Sequence, residues 1–334
     1  MNQFGVGVIG CGAISGNHFH AIGKTENAAL RAVCDIDEAR LQNAMSEQGV
    51  DGYADYHDLL ARQDIDAVHI CVPHYLHAPI SVAALKAGKH VLCEKPMGMT
   101  IQEAEAMRQA AEESGRTLTV CFQNRYNGTS LRMKEIIDGG TLGRVIGGSA
   151  FVCWDRDEAY YASCPWRGTW KTEGGSLLIN QSIHTLDLLR WLAGGLTLKS
   201  ATMTAKRLAD TIETEDTCDM LLENDAGRRF VFYCTNCAAT NENIYLHLTL
   251  EKGEMHMDGA RLTLLTEDDV KVEDYSTGKG VGKDYWGAGH DHLIAEFYRS
   301  LGLGEPPFIT AADALETTRL MDEAYRSSAP IRHR

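Results

Sequence analysis

Val6-Gly7-Val8-Ile9-Gly10-Cys11-Gly12-Ala13-Ile14-Ser15-Gly16 is the stretch on which the reading of this chain turns. Residues 6–9 form a continuous apolar run of the kind required by a strand buried on both faces. Glycines follow it directly and a helical pattern lies beyond. This is the dinucleotide fingerprint G-x-G-x-x-G in its proper context, with Ser15 in the third glycine position. Gly10 permits the tight turn, Gly12 lets backbone approach a pyrophosphate, and the third position needs only a side chain small enough for helix–strand packing. Amides at the helix N-terminus hold the pyrophosphate. Gly10, Gly12, Ala13, Ile14 and Ser15 are therefore expected to contact a cofactor.

Outward from the fingerprint, residues 30–34, 67–72, 91–93 and 118–121 repeat the short apolar run. Helical patterns at 39–48, 80–87 and 101–114 separate them, each followed by a glycine suited to a helix end. Thr100 and Glu103 have the spacing of a capping box. Strands alternating with helices predict a parallel, doubly wound sheet, a Rossmann domain. The second run leads into Asp35. A carboxylate there accepts hydrogen bonds from the adenosine ribose hydroxyls and repels a 2′-phosphate. Ile36-Asp37 follows rather than an arginine, so NAD is expected over NADP. A turn cap is the alternative role for Asp35.

Past residue 122 the texture changes. Residues 145–152, 217–222, 229–233, 245–250 and 262–265 read as antiparallel strands of a larger sheet, separated by turn residues such as Asn224-Asp225 and Asp258-Gly259. Helices are expected at 177–192, 292–301 and 311–325. The expected division is a Rossmann domain over 1–122 and an α+β domain over 123–334.

Composition excludes some partners. Thirty-two basic against 46 acidic side chains give a net charge of -14. That field repels a duplex or an anionic bilayer, so neither nucleic acid nor membrane is expected. The N-terminal run has no basic n-region or cleavage site, and no apolar stretch of about 18 residues occurs, which points to a cytoplasmic protein. Ten cysteines are scattered, with Cys34, Cys71, Cys93 and Cys121 at strand ends, in the manner of reduced thiols. Cys234 and Cys237 make one CxxC without a second pair, which favours structural thiols over a metal or redox centre.

Cys93-Glu94-Lys95-Pro96 follows the fifth apolar run, where a doubly wound sheet keeps its ligands. Partial burial beside a positive nicotinamide would favour a neutral lysine, able to take a substrate hydroxyl proton. Read alone, Glu94-Lys95-Pro96 serves equally well as a surface turn. Five landmarks in order, however, resemble the glucose–fructose oxidoreductase / inositol dehydrogenase / MocA family over nearly the whole chain. They are the fingerprint at 10–15, Val72-Pro73 with His77, Glu94-Lys95-Pro96, Phe122-Gln123-Asn124-Arg125, and the block Gly174-Gly175-Ser176-Leu177-Leu178-Ile179-Asn180-Gln181-Ser182-Ile183-His184-Thr185-Leu186-Asp187. Trp166-Arg167-Gly168-Thr169-Trp170, just before that block, resembles a common variant.

The resemblance implies a Rossmann domain joined to a domain with an open-faced, mainly antiparallel sheet, used for homodimer or homotetramer contact. It implies NAD-dependent hydride transfer at a secondary alcohol of a sugar, polyol or sugar derivative. Lys95 would be the general base, Glu94 would lie near the nicotinamide ribose, and Pro73 and His77 would line the cofactor cleft. His184 would be the catalytic histidine; without the family it reads equally as a structural one. Many members carry an aspartate four residues earlier, where this chain has Asn180. Asparagine orients a hydroxyl but carries no proton at neutral pH, which shifts proton handling onto Lys95 and His184. Positions 180, 184 and 187 are expected on one helix face.

Trp154, Arg156, Tyr160, Tyr161, Trp166 and Arg167 gather aromatics and cations before that block. Aromatic faces stack on sugar C–H faces and arginine forks bind carboxylate or phosphate; closing a domain interface is the alternative use. Expected substrate contacts are Asn124, Arg125, Trp154, Trp166, Arg167, Asn180, His184 and His290. Trp286, Gly289-His290 and Asp291-His292 would add a third wall, and no metal is expected. Two other readings stand beside this one: an NAD-dependent glycoside hydrolase that oxidises its sugar transiently and uses the same residues, and a non-catalytic NAD-binding sensor, which would not need Lys95 and His184 together.

Overall fold

The computed structural model describes residues 3–276 and 289–328. They divide into two compact units, residues 3–123 with 289–318 and residues 124–276 with 319–328.

The first unit runs β1 (Phe4–Ile9), α1 (Ser15–Lys24), β2 (Ala28–Cys34), α2 (Glu38–Gln48), β3 (Asp51–Tyr53), α3 (Tyr56–Leu60), β4 (Ala67–Ile70), α4 (His77–Lys86), β5 (His90–Cys93), α5 (Ile101–Ser114) and β6 (Leu118–Val120). Every pair in the sheet β3-β2-β1-β4-β5-β6 is parallel, as expected. The order in which strands are added reverses between β1 and β4, so the ligand crevice of such a sheet opens at their carboxyl ends. Val6, Val8, Val33, Val68, Val91 and Val120 are sealed between helix layers, which is why these strands read as unbroken apolar runs. β3 and α3 were not expected, because Asp51-Gly52-Tyr53 carries no such run. β4 stops at Ile70, two residues early, leaving Cys71 and Val72 to the loop. The Thr100 hydroxyl caps α5 at Glu103 N–H, 3.3 Å away. The Glu103 carboxylate reaches back to Met99 N–H, one residue short of a reciprocal box.

The second unit contains α6 (Gly128–Gly139), β7 (Val145–Cys153), α7 (Glu158–Ala162), α8 (Ile183–Ala193), β8 (Thr197–Thr204), β9 (Thr217–Glu223), β10 (Arg229–Thr235), β11 (Tyr245–Leu250), β12 (Gly253–Asp258), β13 (Arg261–Leu265) and β14 (Val270–Asp274). Its eight-stranded sheet has the order β14-β13-β12-β11-β7-β10-β9-β8. The sheet is mainly antiparallel, as expected: β10 runs parallel to β7 and the other pairs are antiparallel. Leu246, Leu248 and Leu250 are buried on one face of β11, where α8 packs, and Tyr245, His247 and Thr249 lie on the half-exposed other face. α6, β8, β12 and β14 were not expected; the strands among them alternate with polar residues and only one face needs to be apolar.

Two helices follow, α9 (Gly289–Leu303) and α10 (Ala311–Ser327), and α10 crosses the division between units. α9 corrects the contiguous division at 122/123: it buries Leu293, Ile294, Phe297 and Tyr298 in the first unit, packed on α1. All ten cysteines are free thiols. No helix among the described residues is long and apolar enough to cross a membrane.

Candidate active site

The glycine loop is built for close approach. Gly10 has φ 96°, and a Cβ there would fall 2.4 Å from the Cys71 carbonyl oxygen, so only glycine fits. A Cβ on Gly12 would meet nothing, so the space a phosphate needs is open there. α1 begins without a side-chain cap or first-turn acid, and its amides and dipole are available to an anion. The Ser15 hydroxyl turns inward to Gly12 O at 2.7 Å. Asp35 does both things the sequence allowed. Its Oδ2 accepts from Cys11 N–H at 2.7 Å and its Oδ1 from Asp37 N–H at 2.8 Å, which fixes the loop. Each oxygen keeps a second lone pair for ribose hydroxyls. Beside it Ile36 is an apolar side chain 87% exposed. These features fit a bound dinucleotide.

Pro73 starts a short 3-10 turn ahead of α4. The expectation that His77 lines the cleft is corrected: its ring is buried, with Nδ1 2.7 Å from Pro96 O and Nε2 2.9 Å from Val72 O, so the neutral ring donates to one carbonyl and lies against the other. It ties the loop after β4 to the Glu94-Lys95-Pro96 turn from behind. Glu94 is buried too. Its Oε1 faces His18 Nε2 at 3.1 Å and His290 Nε2 at 3.3 Å, and its Oε2 accepts from Lys95 N–H at 3.2 Å. Burial pushes its pKa up, but the hydrogen bonds from His18 and His290 outweigh this and hold it well below the usual carboxylate range. His18 continues to His69 (Nδ1 to Nδ1, 2.9 Å), and His69 Nε2 to the Tyr298 hydroxyl at 2.8 Å. His290 thus sits within the first unit, bonded to Glu94. Asp291 is turned to Lys24 at 2.8 Å, and Trp286 lies outside the described residues.

In the second unit the expected single helix over 177–192 is two pieces. Leu177–Gln181 forms a π-helical turn closed by Ser182 N–H to Leu177 O at 2.9 Å, and α8 starts after it. The cause lies beneath: the buried Glu215 carboxylate takes the Ser176 and Leu178 N–H groups at 3.2 and 2.9 Å and the Tyr325 hydroxyl at 2.7 Å. A Cβ on Gly175 (φ 150°) would lie 2.0 Å from that hydroxyl, so the double glycine gives way to Tyr325. Asn180 therefore sits on the π turn and His184 on the first turn of α8, off the regular spacing expected. Asn180 Nδ2 donates to Glu173 Oε1 at 2.6 Å, and the other Glu173 oxygen accepts from Gly168 N–H. Glu173 is completely buried, and that burial pushes its carboxyl up to about 7 against the hydrogen bonds from Gly168 and Asn180. Neither Glu173 nor Glu215 carries a sequence signal, since charged residues give no sign of burial in a loop.

The Arg125 expectation also changes. Its guanidinium forks onto Asp187 with two 2.6 Å bonds, both residues are buried, and Trp191 stacks beneath it at 5.2 Å. That commits Arg125 and Asp187 to structure. Asn124 is buried next to it, its Oδ1 without a hydrogen-bond partner. The aromatic–cation stretch forms a ladder: Arg156 over Trp154 (4.9 Å) and Tyr160 (5.3 Å), Arg167 over Tyr160 (4.2 Å) and Trp166 (5.7 Å). Trp154 is buried with its Nε1 on Glu242 O at 3.0 Å, so it supports Arg156 rather than facing a ligand. Trp166 and Arg167 remain partly exposed.

Residues 4–122 match the family described as an oxidoreductase family with an NAD-binding Rossmann fold, and residues 130–256 match the GFO/IDH/MocA C-terminal domain. The chain is 27% identical over 307 residues to inositol 2-dehydrogenase of Salmonella typhimurium, covering 90% of this chain and 87% of that one. It is 28% identical over 279 residues to D-apiose dehydrogenase of Paraburkholderia graminis, covering 82% and 70%. In structure it is similar to the WlbA dehydrogenase of Bordetella pertussis in complex with NADH and UDP-GlcNAcA, with TM-score 0.85, 28% identity and coverage of 98% and 96%.

Proposed function

This chain belongs to the GFO/IDH/MocA oxidoreductase family, with an NAD-binding Rossmann fold in its first unit, and on that premise we propose that it transfers a hydride between NAD and a secondary alcohol of a sugar, polyol or sugar derivative. One observation carries the reading to residues. Within 91–98 every residue but Lys95 is buried, and within 181–190 every residue but His184. Each unit thus presents one proton-handling side chain from an otherwise closed segment.

NAD, when bound, supplies the hydride acceptor. Lys95 takes the proton of the substrate hydroxyl while the carbon's C–H electron pair departs as hydride, leaving a ketone. His184 hydrogen-bonds the reacting oxygen and shares its proton. Asn180, its Nδ2 occupied by Glu173, turns its oxygen toward substrate hydroxyls as an acceptor. Trp166 and Arg167 supply a stacking face and a cation for the ring and its substituents. Asp35 selects NAD against NADP, and Ile36 offers an apolar rest for adenine. The relatives above are dehydrogenases by name, and no feature among the described residues favours the hydrolase or sensor reading.

The test is a screen of sugars, inositols and sugar nucleotides with NAD, read by NADH absorbance, with Lys95→Ala as control. A substrate turned over by the wild type and not by the variant is the expected result. Turnover equal in both overturns the mechanism.

A further inference from the structure

The polar groups behind Glu94 occupy places on α1, β4 and α9 where apolar side chains would pack at less cost, since a buried polar group destabilises unless it is satisfied. With His18 and His69 neutral, one proton assignment satisfies the hydrogen bonds that join these groups. The Glu94 carboxylate only accepts, so His18 and His290 each carry a proton on Nε2. A neutral His18 then has a bare Nδ1, and the proton between the rings sits on His69 Nδ1. His69 is left with a bare Nε2, to which the Tyr298 hydroxyl donates. Burial holds His18 and His69 neutral and Tyr298 un-ionised, in agreement. Donation runs one way, from Tyr298 through His69 and His18 to Glu94.

We propose that Tyr298, His69, His18 and His290 are positioning residues: a one-way chain of buried hydrogen bonds from Tyr298 through His69 to His18, with His290 as a second donor, holds the Glu94 carboxylate as a fixed acceptor for the backbone N–H of Lys95. The functional part rests on the reading of Lys95 as the base. Without the chain, Glu94 loses its tether and Lys95 its orientation. The other titratable groups around Glu94 do not compete: burial and the Glu94 charge keep Cys71 and Cys121 as thiols, burial does the same for Cys93, and His77 is held neutral by burial. The Glu94, His18 and His290 ligand atoms are also close enough together for a divalent cation. A cation on His18 Nε2 would require the reverse tautomers, with protons on His18 Nδ1 and His69 Nε2.

Nitrogen-edited NMR on the full chain, labelled at histidine, reads the tautomers with and without added Zn²⁺. Expected are a neutral His18 protonated at Nε2 and a neutral His69 protonated at Nδ1, both unchanged by Zn²⁺. Tyr298→Phe removes the leading donor; His69 should keep its Nδ1 proton, which the bare His18 Nδ1 accepts, while its Nε2 loses its partner and kcat falls about threefold to tenfold, the worth of one buried hydrogen bond, with KM for NAD unchanged. Overturning results are a His18 protonated at Nδ1, a Zn²⁺-dependent switch of tautomer, or a Tyr298→Phe enzyme with wild-type kcat. The wild-type tautomers need neither a variant nor substrate, so their failure is separate from failure of the Lys95 reading, which Lys95→Ala turnover decides.

Discussion

Asn180 gives its side-chain Nδ2 to Glu173, 2.6 Å away, so a fully buried carboxylate fixes the orientation of that amide. Glutamine at 173 would keep the shape but hold one acceptor. It would spend that on Gly168 N–H and turn its own NH₂ toward Asn180, which must flip. Glu173→Gln is therefore expected to lower kcat/KM about tenfold while the fold survives, the usual loss for one mispaired buried polar group. Asn180→Asp would set two carboxylates face to face and should damage both activity and stability, and Glu173→Gln should rescue it.

The same carboxyl sets a pH dependence of stability. Its folded pKa of about 7 lies above the ordinary carboxyl value. Its contribution is therefore fully present below about pH 4.3 and is lost as pH rises through 7. Relative to Glu173→Gln, the wild type should lose up to ~3 kcal/mol between about pH 4 and pH 8. Thermal unfolding of both proteins across that range measures it; a constant gap would refute the assignment.

Lys95→Ala should leave NAD binding nearly intact and lower turnover by about 10²–10⁴-fold. His184→Ala should also be damaging, because Asn180 carries no proton. The losses should fall short of additivity if both side chains act on one oxygen. Single-turnover rates for the two variants and the double variant decide this, and strict additivity would separate their roles.

Asp35→Ser should narrow the preference for NAD over NADP and loosen the glycine loop, since Asp35 also accepts from Cys11 N–H. Calorimetric titration with both dinucleotides tests it. Equal affinities in the wild type would remove Asp35 as the selector.

Arg125→Ala should take from the buried Asp187 both of its 2.6 Å charge-assisted bonds, with Arg190 3.8 Å away. The expected destabilisation is about 3–5 kcal/mol, read from denaturant unfolding. A loss below about 1 kcal/mol would return Arg125 to the substrate contacts.

The open sheet face carries Tyr233, Phe151 and Tyr245 in register across β10, β7 and β11, with Val231 44% exposed beside them. Such a surface calls for a partner. Light scattering should find a homodimer or homotetramer, and Val231→Glu should shift it toward monomer.

Local chemistry was enough for much of this protein. The runs at β1, β2, β4 and β5, the glycine loop and the caps of α2 and α5 follow from strands buried on both faces and from backbone that only glycine or a capping side chain satisfies. Those signals lie within a few residues of what they specify. Tertiary structure decided the rest. Arg125 reads as a ligand contact until Asp187, 62 residues away, closes on it. His290 reads as a pocket wall until α9 carries it back to Glu94, 196 residues earlier. Glu173 and Glu215 read as solvated charges until loops bury them and their carboxylates open the π turn and orient Asn180. A side chain's type limits what it can donate or accept, whereas its partner and its exposure depend on segments that only folding brings together.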